Sequence, residues 1–181
     1  PEATPPLHLT LLPTRLIFCW FLRQKRNTKT GKGLIPDDLF GPSKIKELLK
    51  DPSEKSCTYY TAILQNLFFA TLNTEMDKRG WTKEEQNFMA HSLYRYRELF
   101  QNPAAALDLF KNIPFLNGGL FECLDKDLGE KASPRYVRVD GFSRRPDSQP
   151  VVPDFLFFGP DREVDLSADY GDAKYRRVTV R

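Results

Sequence analysis

The chain has 181 residues, 40% of them hydrophobic and 28% charged, and its 27 basic and 24 acidic side chains leave a formal charge of +3. That composition excludes a disordered or fibrous protein. The charge is too small to argue for nucleic acid globally, so any such case rests on local patches. Cys19, Cys57 and Cys123 are scattered beside apolar residues and far in sequence from metal-ligand spacing with His8 or His91, so they read as buried thiols in a reducing, cytoplasmic compartment. No metal site is expected.

In chain order, the proline-bearing stretch from Pro1 to Pro13 reads as an extended surface arm. Thr14 is a plausible N-cap for a helix through Arg23 whose run Leu16 to Leu22 is aromatic and continuous enough to be buried on most sides, with Arg15 and Arg23 reaching water at its ends. The run is far short of the roughly 20 apolar residues that span a bilayer. Next comes a run without an acidic residue that holds Arg23, Lys25, Arg26, Lys29 and Lys32. Its Thr-Gly-Lys-Gly end lacks the spacing and preceding strand of a nucleotide-binding loop. A solvated loop and a contact to DNA backbone phosphate are its two readings.

Ser43 to Lys50 predicts a short helix with Ile45, Leu48 and Leu49 inward. The apolar spacing of Tyr60, Ile63, Leu64, Leu67, Phe68 and Leu72 predicts an amphipathic helix from about Ser56 to Arg79, closed by Gly80. A capping box at Thr82 to Glu85 predicts a second helix with Phe88, Met89, Leu93, Tyr96 and Phe100 on its apolar face, packed as a helical hairpin on the first. On that helix Arg95 and Arg97 belong to the solvated face beside Glu98, which outweighs a base-stacking role for the Tyr-Arg alternation. Asn102-Pro103 starts one more short helix with Leu107, Leu109, Phe110 and Ile113 apolar.

Pro114 to Glu122 reads Pro-Phe-Leu-Asn-Gly-Gly-Leu-Phe-Glu, so Asn117, Gly118 and Gly119 predict a reversal driven into the core by the apolar pairs around it. Beyond it, Tyr136 to Val139 and Val151 to Phe158 predict strands, and Tyr175 to Val180 a third. The expected fold class is mainly α (α+β): a helical bundle-like domain over residues 1–126 and a small β-rich or irregular extension over 127–181 in the same unit. The chain's two ends suggest a piece excised from a longer protein.

One catalytic pattern is available on paper. Pro153-Asp154 with Asp172-Ala173-Lys174 fits the metal-nuclease arrangement in which two carboxylates hold a divalent ion and a lysine stabilises charge. The pattern is unspecific, because Pro-Asp recurs at residues 36, 146 and 160. Arg144-Arg145 forms a second small basic patch with the same two readings as the first.

Four segments in order carry a resemblance: Thr14 to Arg23, Gly33-Leu-Ile-Pro-Asp-Asp-Leu-Phe40, Leu67-Phe-Phe-Ala-Thr-Leu-Asn73 and Pro114 to Glu122. Together the chain resembles the helical connector of large bacterial type IIG-like restriction-modification proteins, in which one polypeptide carries an N6-adenine DNA methyltransferase and commonly a nuclease. The resemblance implies a spacer ahead of the methyltransferase domain, with double-stranded DNA and flanking domains of the same chain as partners. It implies S-adenosylmethionine as the parent's cofactor, and Mg2+ where the parent cleaves DNA. The family's Asn/Asp-Pro-Pro-Tyr/Phe tetrapeptide does not occur in this sequence, so no catalytic residue carries over and Asn117, Gly118 and Gly119 are structural marks. The expectation is a non-catalytic spacer that positions modules on DNA; the alternatives are a nuclease domain and a stand-alone nucleic-acid-binding module.

Overall fold

The computed structural model describes residues 7–28, 30–50, 57–83, 91–116, 119–127, 136–137, 140, 142, 151–159, 162–165 and 167–180. Helix α1 spans Leu7–Gln24 and runs through Pro13. The expected extended arm is therefore helical from Leu7, and Thr14 lies inside the helix rather than capping it. α1 is also not buried on most sides: Cys19 and Leu22 face the core while Ile17, Phe18, Trp20 and Phe21 are exposed. Arg15 shares the inward face of Cys19 and Leu22, four and seven residues on, and is buried instead of reaching water.

Helix α2 spans Pro42–Leu48 as expected, with Gly41 as N-cap, Pro42 in its first turn, and Ile45 and Leu49 buried. The centre of the molecule is a continuous helical stretch from Tyr59 to Leu72, π-helical on both sides of Gln65, which keeps α-helical backbone angles. Its hydrogen bonds reach one residue further than in an α-helix. Gln65 N donates to Tyr60 O, and the hydroxyls of Thr71 and Thr74 donate to the carbonyls of Asn66 and Phe69 at 2.9 and 3.0 Å. Every residue from Ala62 to Leu72 is buried, so the expected stripe is an all-round core helix. It ends at Leu72, not Gly80.

The predicted helical hairpin is overturned. Residues 84–90 lie outside the described residues, and Tyr94 instead bridges Trp81, with Thr82 N donating to Tyr94 O and Tyr94 N to Gly80 O, each at 2.9 Å. Tyr94, Arg95 and Tyr96 are buried in succession, which the single apolar face of a surface helix cannot do, and Tyr96 takes a left-handed φ of 61°. Buried Asn66 holds this segment: its amide nitrogen donates to Arg95 O at 2.8 Å and its oxygen accepts from Arg95 N at 2.9 Å. Arg95 itself donates to the carbonyl of Phe142 and lies 4.2 Å from that ring's centroid.

Helix α3, Pro103–Lys111, follows the expectation, and Asn102 Oδ1 accepts from Ala104 N and Ala105 N at 3.1 and 3.2 Å. Asn102→Ala should cost about 1 kcal/mol, read as a shift of the denaturant midpoint with an unchanged slope.

Of the expected β-rich or irregular C-terminal part, the described residues do not support the β-rich reading. Among the described residues, β1 (Lys126–Asp127) pairs antiparallel with β2 (Tyr136–Val137), and β3 (Arg162–Val164) with β4 (Val178–Val180). These short ladders are interleaved with α4 (Phe155–Phe158) and α5 (Ser167–Tyr170). The predicted strand from Val151 to Phe158 ends in a helix for a packing reason. Phe157 and Phe158 both touch the Tyr59 ring, at centroid distances of 4.9 and 4.6 Å, whereas neighbours in a strand would point to opposite faces.

Candidate functional site

The basic run folds as a tight hairpin at the end of α1. Lys25 N donates to Phe21 O at 3.0 Å, Asn27 N to Lys32 O at 2.8 Å and Gly31 N to Asn27 O at 2.8 Å. Two glycines are required here. Gly31 has a φ of +68°, and a Cβ on Gly33 would sit 2.3 Å from the Arg23 carbonyl oxygen.

The five expected phosphate ligands of this run do not act alike. Arg23 is engaged by the Asp37 carboxylate and lies 5.7 Å from the Phe40 ring centroid; that ion pair holds the Asp37 carboxyl below its ordinary value. Arg26 donates to Gly31 O at 3.4 Å and keeps an exposed guanidinium. Lys25 and Lys32 are exposed, while Lys29 lies outside the described residues, as do Arg144 and Arg145. Beside the hairpin is a cleft of about 920 Å³ in which Arg26 and Lys32 face Asp37, Asp38 and Asp108. Two of these carboxylates are already paired, Asp37 with Arg23, and Asp108 with Lys111 at 2.6 Å.

The described part of the glycine-rich segment is held by Arg15, a residue expected to reach water at the helix end. Asn117 and Gly118 lie outside the described residues; Gly119 opens a short turn to Phe121, whose buried ring meets Phe68 and Phe18 at 5.9 and 5.8 Å. Arg15 reaches this segment from α1. Its Nε donates to Leu120 O at 2.8 Å, its Nη2 to Glu122 O at 3.1 Å and its Nη1 to Asp140 Oδ1 at 2.5 Å. Asp140 Oδ2 accepts from Leu124 N at 2.6 Å, and Asp140 N donates to Asp125 Oδ1 at 2.9 Å. The buried guanidinium also lies 4.9 Å from the Phe69 ring centroid. The available signal was a lone charge on the inward face of an apolar helix.

The nuclease candidates have structural employment. Asp154 is buried and its Oδ1 accepts from Tyr59 N at 2.9 Å. Asp172 caps the turn Ala173–Arg176 by accepting from Lys174 N at 2.9 Å, and its other oxygen lies 3.1 Å from Lys174 Nζ. Among the described residues no group of three or more His, Cys, Asp or Glu side chains is placed to hold a metal ion.

Burial pushes the thiols of Cys19 and Cys123 up to about 12. Both should resist iodoacetamide in the native protein at pH 8 and react only after unfolding, read by mass spectrometry. The folded state keeps these protons where the unfolded thiols lose theirs. Their contribution to stability is thus fully present below the ordinary thiol value of 9.0 and is lost as pH rises from there toward about 12.

Compared with known proteins, the chain is 32% identical over 113 residues to the "Putative type II restriction enzyme and methyltransferase RM.MjaORFECS2P" of Methanocaldococcus jannaschii. The alignment covers 61% of this chain and 7% of that relative. No family model and no solved structure matches. The likeness supports a restriction-modification relationship at that coarse level. Among the described residues no helix is long and apolar enough to cross a membrane.

Proposed function

We propose that this chain is a non-catalytic helical spacer of a restriction-modification polypeptide, holding a DNA adenine methyltransferase module and its neighbours at fixed positions on the duplex. The observation that carries the proposal is the similarity to a protein named for both restriction and methylation, of which this chain spans about 7%. The placement of the charged groups supports it. Arg15, Asp140 and Asp154 lock elements of the chain to one another instead of converging on an open site. Flipping and modifying a base requires rigidly held modules, which a core of this kind supplies. The parent would be the S-adenosylmethionine-dependent enzyme, and this chain would hold no cofactor of its own.

Lys25 and Lys32 as point charges, and Arg26 through its planar guanidinium, would contact the DNA backbone without reading sequence. In the complete polypeptide, Lys25→Ala/Arg26→Ala/Lys32→Ala should weaken binding equally on all duplexes and flatten the dependence of log Kd on log salt by about one per lost phosphate contact. Methyl transfer at saturating DNA should be unchanged. Loss of transfer at saturating DNA, with the fold intact by circular dichroism, would contradict the spacer role.

A further inference from the structure

The most conspicuous unexplained surface is the outer face of α1. Ile17, Trp20 and Phe21 follow helical spacing and are 69%, 59% and 55% exposed, with Phe18 beside them at 38%. This inverts the usual arrangement: the buried face of α1 holds an ion-paired arginine while the solvent face holds two aromatics and an isoleucine. The stripe presents roughly 400 Å² of apolar surface, at the level that marks an interaction site on a monomer.

Three observations select its occupant. Trp and Phe on a firm helix are the residue types that anchor protein interfaces. The area is about half of the roughly 800 Å² each partner contributes to a stable complex, so a second copy held by this stripe alone would be weak, whereas a tethered neighbour binds at high effective concentration. The stripe itself carries no charged residue from Leu16 to Leu22, which favours an apolar protein patch over a nucleic-acid backbone.

We infer that the Ile17–Trp20–Phe21 face of α1 is the docking surface for another domain of the same polypeptide, one offering an apolar patch. The inference rests on the spacer reading in requiring a longer parent. It adds which face of the spacer carries the rigid joint.

Hydroxyl-radical footprinting tests it on Trp20 and Phe21, comparing this 181-residue chain with the complete polypeptide encoded by its reading frame. Several-fold slower oxidation of both residues in the complete polypeptide, independent of concentration and retained at high salt, is the expected result. Trp20→Ser/Phe21→Ser should then leave the melting temperature of the short chain unchanged and speed proteolysis between domains of the long one. Equal oxidation in both contexts overturns the inference. Protection in the short chain that grows with its concentration assigns the face to a second copy, and protection that appears only with single-stranded DNA assigns it to base stacking; either overturns it. Protection in a polypeptide that transfers no methyl group would leave the joint standing and remove the methyltransferase reading instead.

Discussion

Arg79→Ala is expected to lower the unfolding free energy by about 3 kcal/mol, the larger part of what a domain of this size can lose at one half-buried position. The reason is where the guanidinium sits. Nη2 donates to Thr71 O at 2.7 Å and Nε to Thr74 O at 2.9 Å, at the end of the central helix. Nη1 donates to Ile113 O at 2.7 Å and more loosely to Phe110 O and Lys111 O at 3.2 and 3.3 Å, at the end of α3. Two helix C-termini, each with unsatisfied carbonyls and a partial negative charge, thus converge on one cation. Alanine would strand those acceptors and let the two helix ends separate. Arg79→Lys should recover less than half of the loss, because an ammonium cannot span two divergent sets of carbonyls as a planar fork does. Equilibrium urea unfolding of the three proteins reads the effect. A loss below about 1 kcal/mol for the alanine variant would mean that solvent replaces the guanidinium at little cost.

Asp140→Ala should be costlier, by about 3–5 kcal/mol, because it leaves the Arg15 charge buried without its partner. The same carboxylate also accepts from Leu124 N, so the substitution frees a backbone donor next to the signature turn. Asp140→Asn separates the two effects: it can keep the Leu124 bond, and the remaining deficit measures the charge. Arg15→Met/Asp140→Leu should recover much of the loss, since removing both charges abolishes the desolvation that the pair must offset. A double variant as unstable as Asp140→Ala would place the energy in the hydrogen bonds to Leu120 O and Glu122 O instead.

Arg15 and Arg79 also mark the limit of what could be read from the chain. Asn102-Pro103 carries its own cap and first-turn signal, and the α2 apolar spacing is local, so both helices were legible. The expectation for Arg79 followed from treating the Tyr60 to Leu72 periodicity as an amphipathic helix running on to a terminal glycine. With the central helix buried all round, its end at Leu72 is set by packing and by Arg79 folding back five and eight residues, which no local pattern encodes. Arg15 was assigned to water because it borders the apolar run. Its spacing to Cys19 and Leu22 pointed inward, but its partner Asp140 lies 125 residues away in sequence. Phe157 and Phe158 misled for a similar reason: β-branched and aromatic enrichment suggested a strand, and only the position of Tyr59 shows why both rings must face one way.

The basic hairpin was legible as a charged loop. The split within it was not. Arg23 is taken by Asp37 and the adjoining cleft by Asp38 and Asp108, so the three exposed cations Lys25, Arg26 and Lys32 carry the DNA proposal alone among the described residues of that run.

The central claim, a non-catalytic spacer within a DNA-methylating polypeptide, is tested most directly by following label transfer from S-adenosylmethionine to adenine N6 of duplex DNA by the complete polypeptide and by its Asp172→Ala/Lys174→Ala variant. Transfer at the same rate by both is expected, and Mg2+-dependent cleavage of the duplex, where the complete polypeptide cleaves, should be equally unchanged in the variant. Absence of transfer from the intact polypeptide, or its loss in the folded variant, would contradict the claim.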